Sequence, residues 1–248
     1  MRVLILTAIL FLKIHSANAQ TAFEVVQRAD NNMRGQSMIA EISIRISRPT
    51  WERTMDVKAW TLGRDYSLIL IQSPPRERGV VFLKRKKELW NWLPALERTI
   101  KLPPSMMSQS WMGTDFTNDD LVRESSVVYD YEHRFLNDTL IRQQSCFRIE
   151  MIPKPDAPVV WSKIIIAIAK EAFIELNALF FDEDGMLSSC MNAYDIRNMD
   201  GRKIPTRFEM IPLQPKNQKT EMIYRNVLFN RQIPEERFNL SNIRNPAF

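Results

Sequence analysis

The chain has 248 residues, 45% of them hydrophobic and 25% charged, with a formal net charge of +5. That balance excludes a disordered or low-complexity polymer, and the length suits one large all-β domain with a core of its own. So small a positive charge gives no support for nucleic-acid binding, and two cysteines and two histidines without ligand spacing give no metal centre.

Met1 and Arg2 make a short positive start, residues 3–14 are apolar apart from Thr7 and Lys13, and Ala17-Asn18-Ala19 supplies the small residues that signal peptidase needs. This predicts a signal peptide over residues 1–19, cleaved near Ala19, and a single exported domain over residues 20–248. The apolar run is far short of the ~20 residues that cross a bilayer. A second apolar stretch, 164–181, is interrupted by Lys170, Glu171, Glu175 and Asn177 and does not read as a span. Export makes a Cys146–Cys190 disulfide chemically possible, and the sequence leaves open whether it forms.

Residues 23–34 read as a helix, with Phe23, Val26, Ala29 and Met33 on one face, Asp30 beside it in solvent, and Gly35 as the stop. The period then changes to two. Strands are expected at 38–47, 53–62 and 66–72, then a hairpin of 79–83 with 88–93, then 98–102. The hairpin crosses Lys84, Arg85, Lys86 and Lys87, a basic tip that is either simply solvated or in contact with anionic headgroups. Residues 105–121 lose the alternation and carry Met106, Met107, Trp111, Met112 and Phe116, which predicts a loop with a short helix at 108–112. Strands resume at 124–133, 141–152, 160–169, 172–181, 186–197, 203–211 and 219–229, with Asp184-Gly185 and Asp200-Gly201 as hairpin turns. The tail from residue 234 looks irregular. The fold class is therefore mainly β with a few helices: an unclosed antiparallel β-barrel of about 11 strands, curled by accumulated twist, with a helical or loop lid over a hydrophobic cavity.

Chemistry is hard to find. Asp115, Asp119 and Asp120 could form a carboxylate site or simply cap turns. No nucleophile elbow, zinc-protease or phosphate-loop motif occurs, and His133 lacks a nucleophile nearby in sequence. Asp182-Glu183-Asp184-Gly185 begins like a calcium loop, but the twelfth position is Ala193, so a hairpin turn explains it. No catalytic residue, cofactor or metal is expected. Apolar surface is what exceeds the needs of a plain core. Trp90 and Trp92 share one strand face while Leu89 and Leu93 share the other, so the second face is either covered or lines a cavity. The candidate lipid contacts are Trp60, Phe82, Trp90, Trp92, Met106 and Trp111.

The stretch Leu89-Trp90-Asn91-Trp92-Leu93-Pro94-Ala95-Leu96-Glu97-Arg98, followed by Met112-Gly113-Thr114-Asp115-Phe116-Thr117-Asn118-Asp119-Asp120-Leu121, resembles the outer-membrane lipoprotein-sorting protein family of the LolA-like superfamily. Phe181 to Gly185, Asp200-Gly201-Arg202-Lys203-Ile204-Pro205-Thr206 and Phe238-Asn239-Leu240 extend the match across roughly residues 25 to 243. The resemblance implies a periplasmic, non-enzymatic carrier whose cavity takes lipid or lipoprotein acyl chains for transfer between inner and outer membrane. It implies an inner-membrane exporter as donor and an outer-membrane acceptor. The alternative it leaves open is a regulatory protein of the RseB type that responds to lipid and binds a partner protein. A monomer that binds no nucleic acid is expected.

Overall fold

A computed structural model describes residues 20–86, 88–122 and 126–245. The expected signal peptide and Lys87 lie outside the described residues. Helix α1 (Ala22–Arg34) opens with a capping box: the Thr21 side chain accepts from the Glu24 N–H, and the Glu24 carboxylate accepts from the Thr21 N–H. Gly35, at φ 67°, ends it.

Fourteen strands follow: β1 (Ser37–Ser47), β2 (Glu52–Leu62), β3 (Tyr66–Ser73), β4 (Val81–Arg85), β5 (Glu88–Leu93), β6 (Arg98–Leu102), β7 (Tyr131–Phe135), β8 (Thr139–Ile141), β9 (Gln144–Pro153), β10 (Lys163–Ala169), β11 (Glu175–Phe181), β12 (Leu187–Met199), β13 (Arg202–Pro212) and β14 (Lys219–Phe229). They form one antiparallel sheet in the order β6-β5-β4-β3-β2-β1-β14-β13-β12-β11-β10-β9-β7, with β8 on β9. The first and last strand of that path do not pair with each other, so the barrel is open, as expected. Six strands, β6 to β1, meet seven, β14 to β7, at the β1–β14 pair, where Ser47 opposes Lys219 and Met38 opposes Phe229.

Even-numbered residues of β1 from Met38 to Ile46 face inward and are buried, while Glu41 and Arg45 face out. The inner core takes Val57 and Ala59 of β2, Ile149 and Met151 of β9, Ile164, Ile166 and Ile168 of β10, and Phe208 and Met210 of β13, and α1 packs into it through Val25 and Val26.

Three expectations change. A strand over 124–133 is replaced by a helical turn, α3 (Ser126–Tyr129), and only then by β7. The helix expected at 108–112 is absent; 3₁₀ turn Pro104–Met106 and helix α2 (Asn118–Val122) flank an isolated bridge between Ser110 and Thr117. Asp30 is not in solvent: its carboxylate is nearly buried between Arg34 at 3.2 Å and Arg64 at 2.5 Å. A carboxylate at helical spacing looks surface-bound in sequence because the arginine that covers it lies in the β2–β3 turn.

Candidate functional site

The inner face encloses an apolar cavity of about 170 Å³. The strands β10, β11, β13 and β14 supply its walls through residues such as Ile166, Ala178, Phe208, Met210 and Met222, and α1 covers it with Val26, Ala29 and Met33. Alternation places these side chains: Ile164, Ile166 and Ile168 point the same way on β10, as do Ala178 and Phe180 on β11, while a register shift turns Leu176 to a separate cluster with Cys146, Ala167 and Ala169; Ala178 is small enough to leave room. Polar groups occur at its margins. Asp30 is held by two arginines, and Asp120 accepts from Trp161 Nε1 at 2.8 Å and from the Thr117 N–H at 2.8 Å. Burial pushes the Asp120 carboxyl above the usual carboxylate range, against the pull of the Trp161 and Thr117 hydrogen bonds.

The loop over residues 103–122 lines this cavity only through its C-terminal end, with Phe116, Asp119, Asp120 and Leu121. Its middle is tucked into the core of the other half of the barrel, with Trp111 fully buried and its ring 5.3 Å from that of Phe82. The Gly113-Thr114-Asp115-Phe116 segment fixes it there. Arg48 grips Asp115 with two parallel hydrogen bonds of 3.0 and 3.1 Å, and Thr220 Oγ1 donates to the same carboxylate at 2.6 Å. The Asp115 N–H in turn donates to Thr220 Oγ1 at 2.9 Å. Arg48 Nη2 also donates to the Gly113 carbonyl at 3.0 Å, and Arg53 donates to the Met112 carbonyl. Phe116 then reaches the cavity wall. Asp115 is thus a fastening, and Asp120 a turn cap, which is the structural side of the two readings their sequence allowed.

None of the six sequence-derived lipid contacts lines this cavity. Phe82 and Trp111 belong to the same inner core but on the side filled by the loop. Met106 packs beside Leu89, Leu102 and Met107. Trp60, Trp90 and Trp92 point outward. There they join Leu68, Val81 and Leu83 under the C-terminal segment, whose Ile233, Phe238 and Ile243 cover them. The two greasy faces of the β4–β5 hairpin are explained by this cover. The structure also corrects the basic tip: Lys84 is buried, donating to the Arg64 carbonyl at 2.7 Å. What sequence reasoning missed was the cavity's own wall, although the isoleucines at 164, 165, 166 and 168 make a run greasier than a half-solvated strand needs.

The remaining chemistry is quiet. His133 Nε2 lies 2.9 Å from the Val127 carbonyl, and desolvation pushes its pKa down. Cys146 and Cys190 are free thiols, three strands apart in the sheet, and burial raises both. Among the described residues no group of three or more His, Cys, Asp or Glu is placed to hold a metal, and no helix is long and apolar enough to cross a membrane.

The sequence matches, over residues 63–245, the model of a family described as "Uncharacterized protein". No curated protein matches it. Several solved structures share the fold. A DUF1329 family protein from Desulfovibrio piger superposes with a TM-score of 0.82 at 20% identity, covering 90% of this chain and 97% of that one. A putative outer membrane lipoprotein-sorting protein domain from Vibrio parahaemolyticus gives 0.79 at 20%, covering 90% and 98%. A LolA superfamily protein from Nitrosomonas europaea gives 0.79 at 23%, covering 90% and 99%.

Proposed function

Because the chain belongs to the family matched over residues 63–245 and carries the LolA-like open-barrel fold, we propose that it is a periplasmic carrier, without enzymatic activity, that holds an acyl chain of a lipid or lipoprotein in its inner cavity. The observation that carries this reading is the cavity itself: an apolar space walled by Ile164, Ile166, Met191, Phe208, Met210 and Met222. A dry, apolar cavity is filled favourably by an apolar guest. Each methylene moved from water contributes about 0.8 kcal/mol. Unbranched methionines at three of those positions suit a flexible guest whose length varies. The donor would be an inner-membrane exporter and the acceptor an outer-membrane component, consistent with the expected signal peptide.

The proposed contacts are therefore the cavity residues of β10 to β14. Phe82 and Trp111 would meet the guest only if the 103–122 loop moved, and Trp60, Trp90 and Trp92 are reserved for the outer face.

The test is native mass spectrometry of the protein purified from a Gram-negative periplasm, followed by organic extraction. The expected result is near one lipid per chain, lost in Ala178→Trp, which fills the cavity while circular dichroism stays native. A clean protein mass, with no uptake of a fluorescent fatty acid afterwards, would sink the carrier reading.

A further inference from the structure

The strand order puts six hairpin connections side by side along one end of the sheet. In sheet order they are residues 94–97 (β5–β6), 74–80 (β3–β4), 48–51 (β1–β2), 213–218 (β13–β14), 182–186 (β11–β12) and 154–162 (β9–β10). Four of the six carry a large exposed apolar side chain: Leu96 at 63%, Trp51 at 48%, Leu213 at 40% and Met186 at 66% exposure. Single exposed apolar residues are ordinary on a protein surface. Their recurrence at four of these tips, with adjacent turns roughly 10 Å apart at two strand spacings, is a row along one rim, interrupted at residues 74–80.

Charge divides that row. Around the first four turns the exposed charged residues are Arg76, Arg78, Arg98 and Lys216 against Glu52 and Glu97. Arg48 and Arg53 in the same turns are already engaged by Asp115 and Glu77. The fifth turn, beside Met186, is acidic, with Asp182, Glu183 and Asp184. The first four turns thus combine a tryptophan and two leucines at their tips with a surplus of cations. This is the pairing that an anionic lipid surface takes up: apolar tips enter the headgroup–acyl boundary and lysine and arginine meet the phosphates. A protein partner would need a continuous complementary face, whereas a bilayer accepts isolated tips.

We infer that this rim, from Leu96 through Trp51 to Leu213, docks the protein on an anionic phospholipid bilayer, with the acidic Met186 turn held off. The inference concerns the outside of the molecule and stands independently of what fills the cavity.

The test is flotation of the purified full-length mature protein with phosphatidylglycerol–phosphatidylethanolamine vesicles and, in parallel, with phosphatidylcholine vesicles. The expected result is co-flotation with the anionic vesicles only, weakened by salt. The triple variant Trp51→Ser, Leu96→Ser, Leu213→Ser should reduce the bound fraction by at least about tenfold, with circular dichroism unchanged, while Met186→Ser binds as the parent does. Failure of the parent to float with anionic vesicles, undiminished binding by the triple variant, or an equal loss in Met186→Ser would each overturn the inference. Native mass spectrometry separates it from the carrier reading, because the triple variant should keep whatever lipid the parent carries.

Discussion

At the scale of single residues, Asp115 is the most consequential polar position. Its carboxylate and the Arg48 guanidinium are both largely withdrawn from water, with side-chain exposures of 5% and 13%. Removing one partner of a buried pair leaves the other charge uncompensated, at a cost of about 3 kcal/mol. Asp115→Ala should therefore lower the stability read from urea unfolding by about that amount. Because asparagine keeps an oxygen to accept from Thr220 Oγ1, and Arg48 keeps the Ser47, Gly113 and Lys219 carbonyls, Asp115→Asn should lose less. An Asp115→Ala protein as stable as its parent would show that the loop is held by Trp111 and Phe116 packing alone. None of this was legible in the sequence. The partners stand 67 and 105 residues away, so a motif of small and acidic residues could be seen to matter without revealing to what it was tied. Local hydrogen bonds were easier: the turn at Asp182 does what its composition promised, accepting from the Asp184 and Met186 N–H groups.

At the scale of elements, the strands were read well because period-two alternation is a local signal, and their order follows from consecutive hairpins. What escaped were elements whose position depends on distant surfaces. The C-terminal segment after β14 has no period, so it looked irregular; in the structure it makes two 3₁₀ turns, Glu235–Phe238 and Leu240–Asn242, and lies across the outer face of β2 to β5. Phe238 is fully buried there, its ring 5.4 Å from that of Tyr66, while the guanidinium of Arg237 stands 4.9 Å above the Trp60 ring. The tryptophans assigned to a cavity on greasiness alone belong to this second small core. Period-two counting had put Trp90 and Trp92 on one face correctly, but could not say which face was inside. Phe238→Ala should cost about 3–5 kcal/mol, the range for removing a buried phenylalanine. It should also shift tryptophan emission to the red as Trp60 and Trp92 are wetted. A stability loss without the spectral shift would mean that the remaining tail still seals the face.

At the scale of the whole molecule, the open barrel is asymmetric. The half built from β1 to β6 is filled by its own chain, with Trp111 of the loop packed on Phe82, and a filled interior is close-packed and resists a guest. The half built from β9 to β14 keeps the space, roofed by α1, whose Val26, Ala29 and Met33 are among the cavity's walls. Sequence alone could state that a curled sheet of this width has an interior, but not which half was stoppered, since that depends on where one 20-residue insertion folds back. The asymmetry makes a prediction that distinguishes an acyl guest in this cavity from one bound nearer the six tryptophan, phenylalanine and methionine positions first suggested. A ligand that binds only the folded state suppresses the openings that expose the strands around it, by up to about 2.7 kcal/mol at a hundredfold excess over its dissociation constant. Amide hydrogen exchange with a saturating fatty acid should therefore slow most in β10, β11, β13 and α1, and little in β4, β5 and β6. Protection concentrated instead in β4 to β6 would place the guest beside Phe82 and Trp111. It would require the Arg48–Asp115 fastening to open on loading, since Trp111 leaves no space on that side while the loop is held in place.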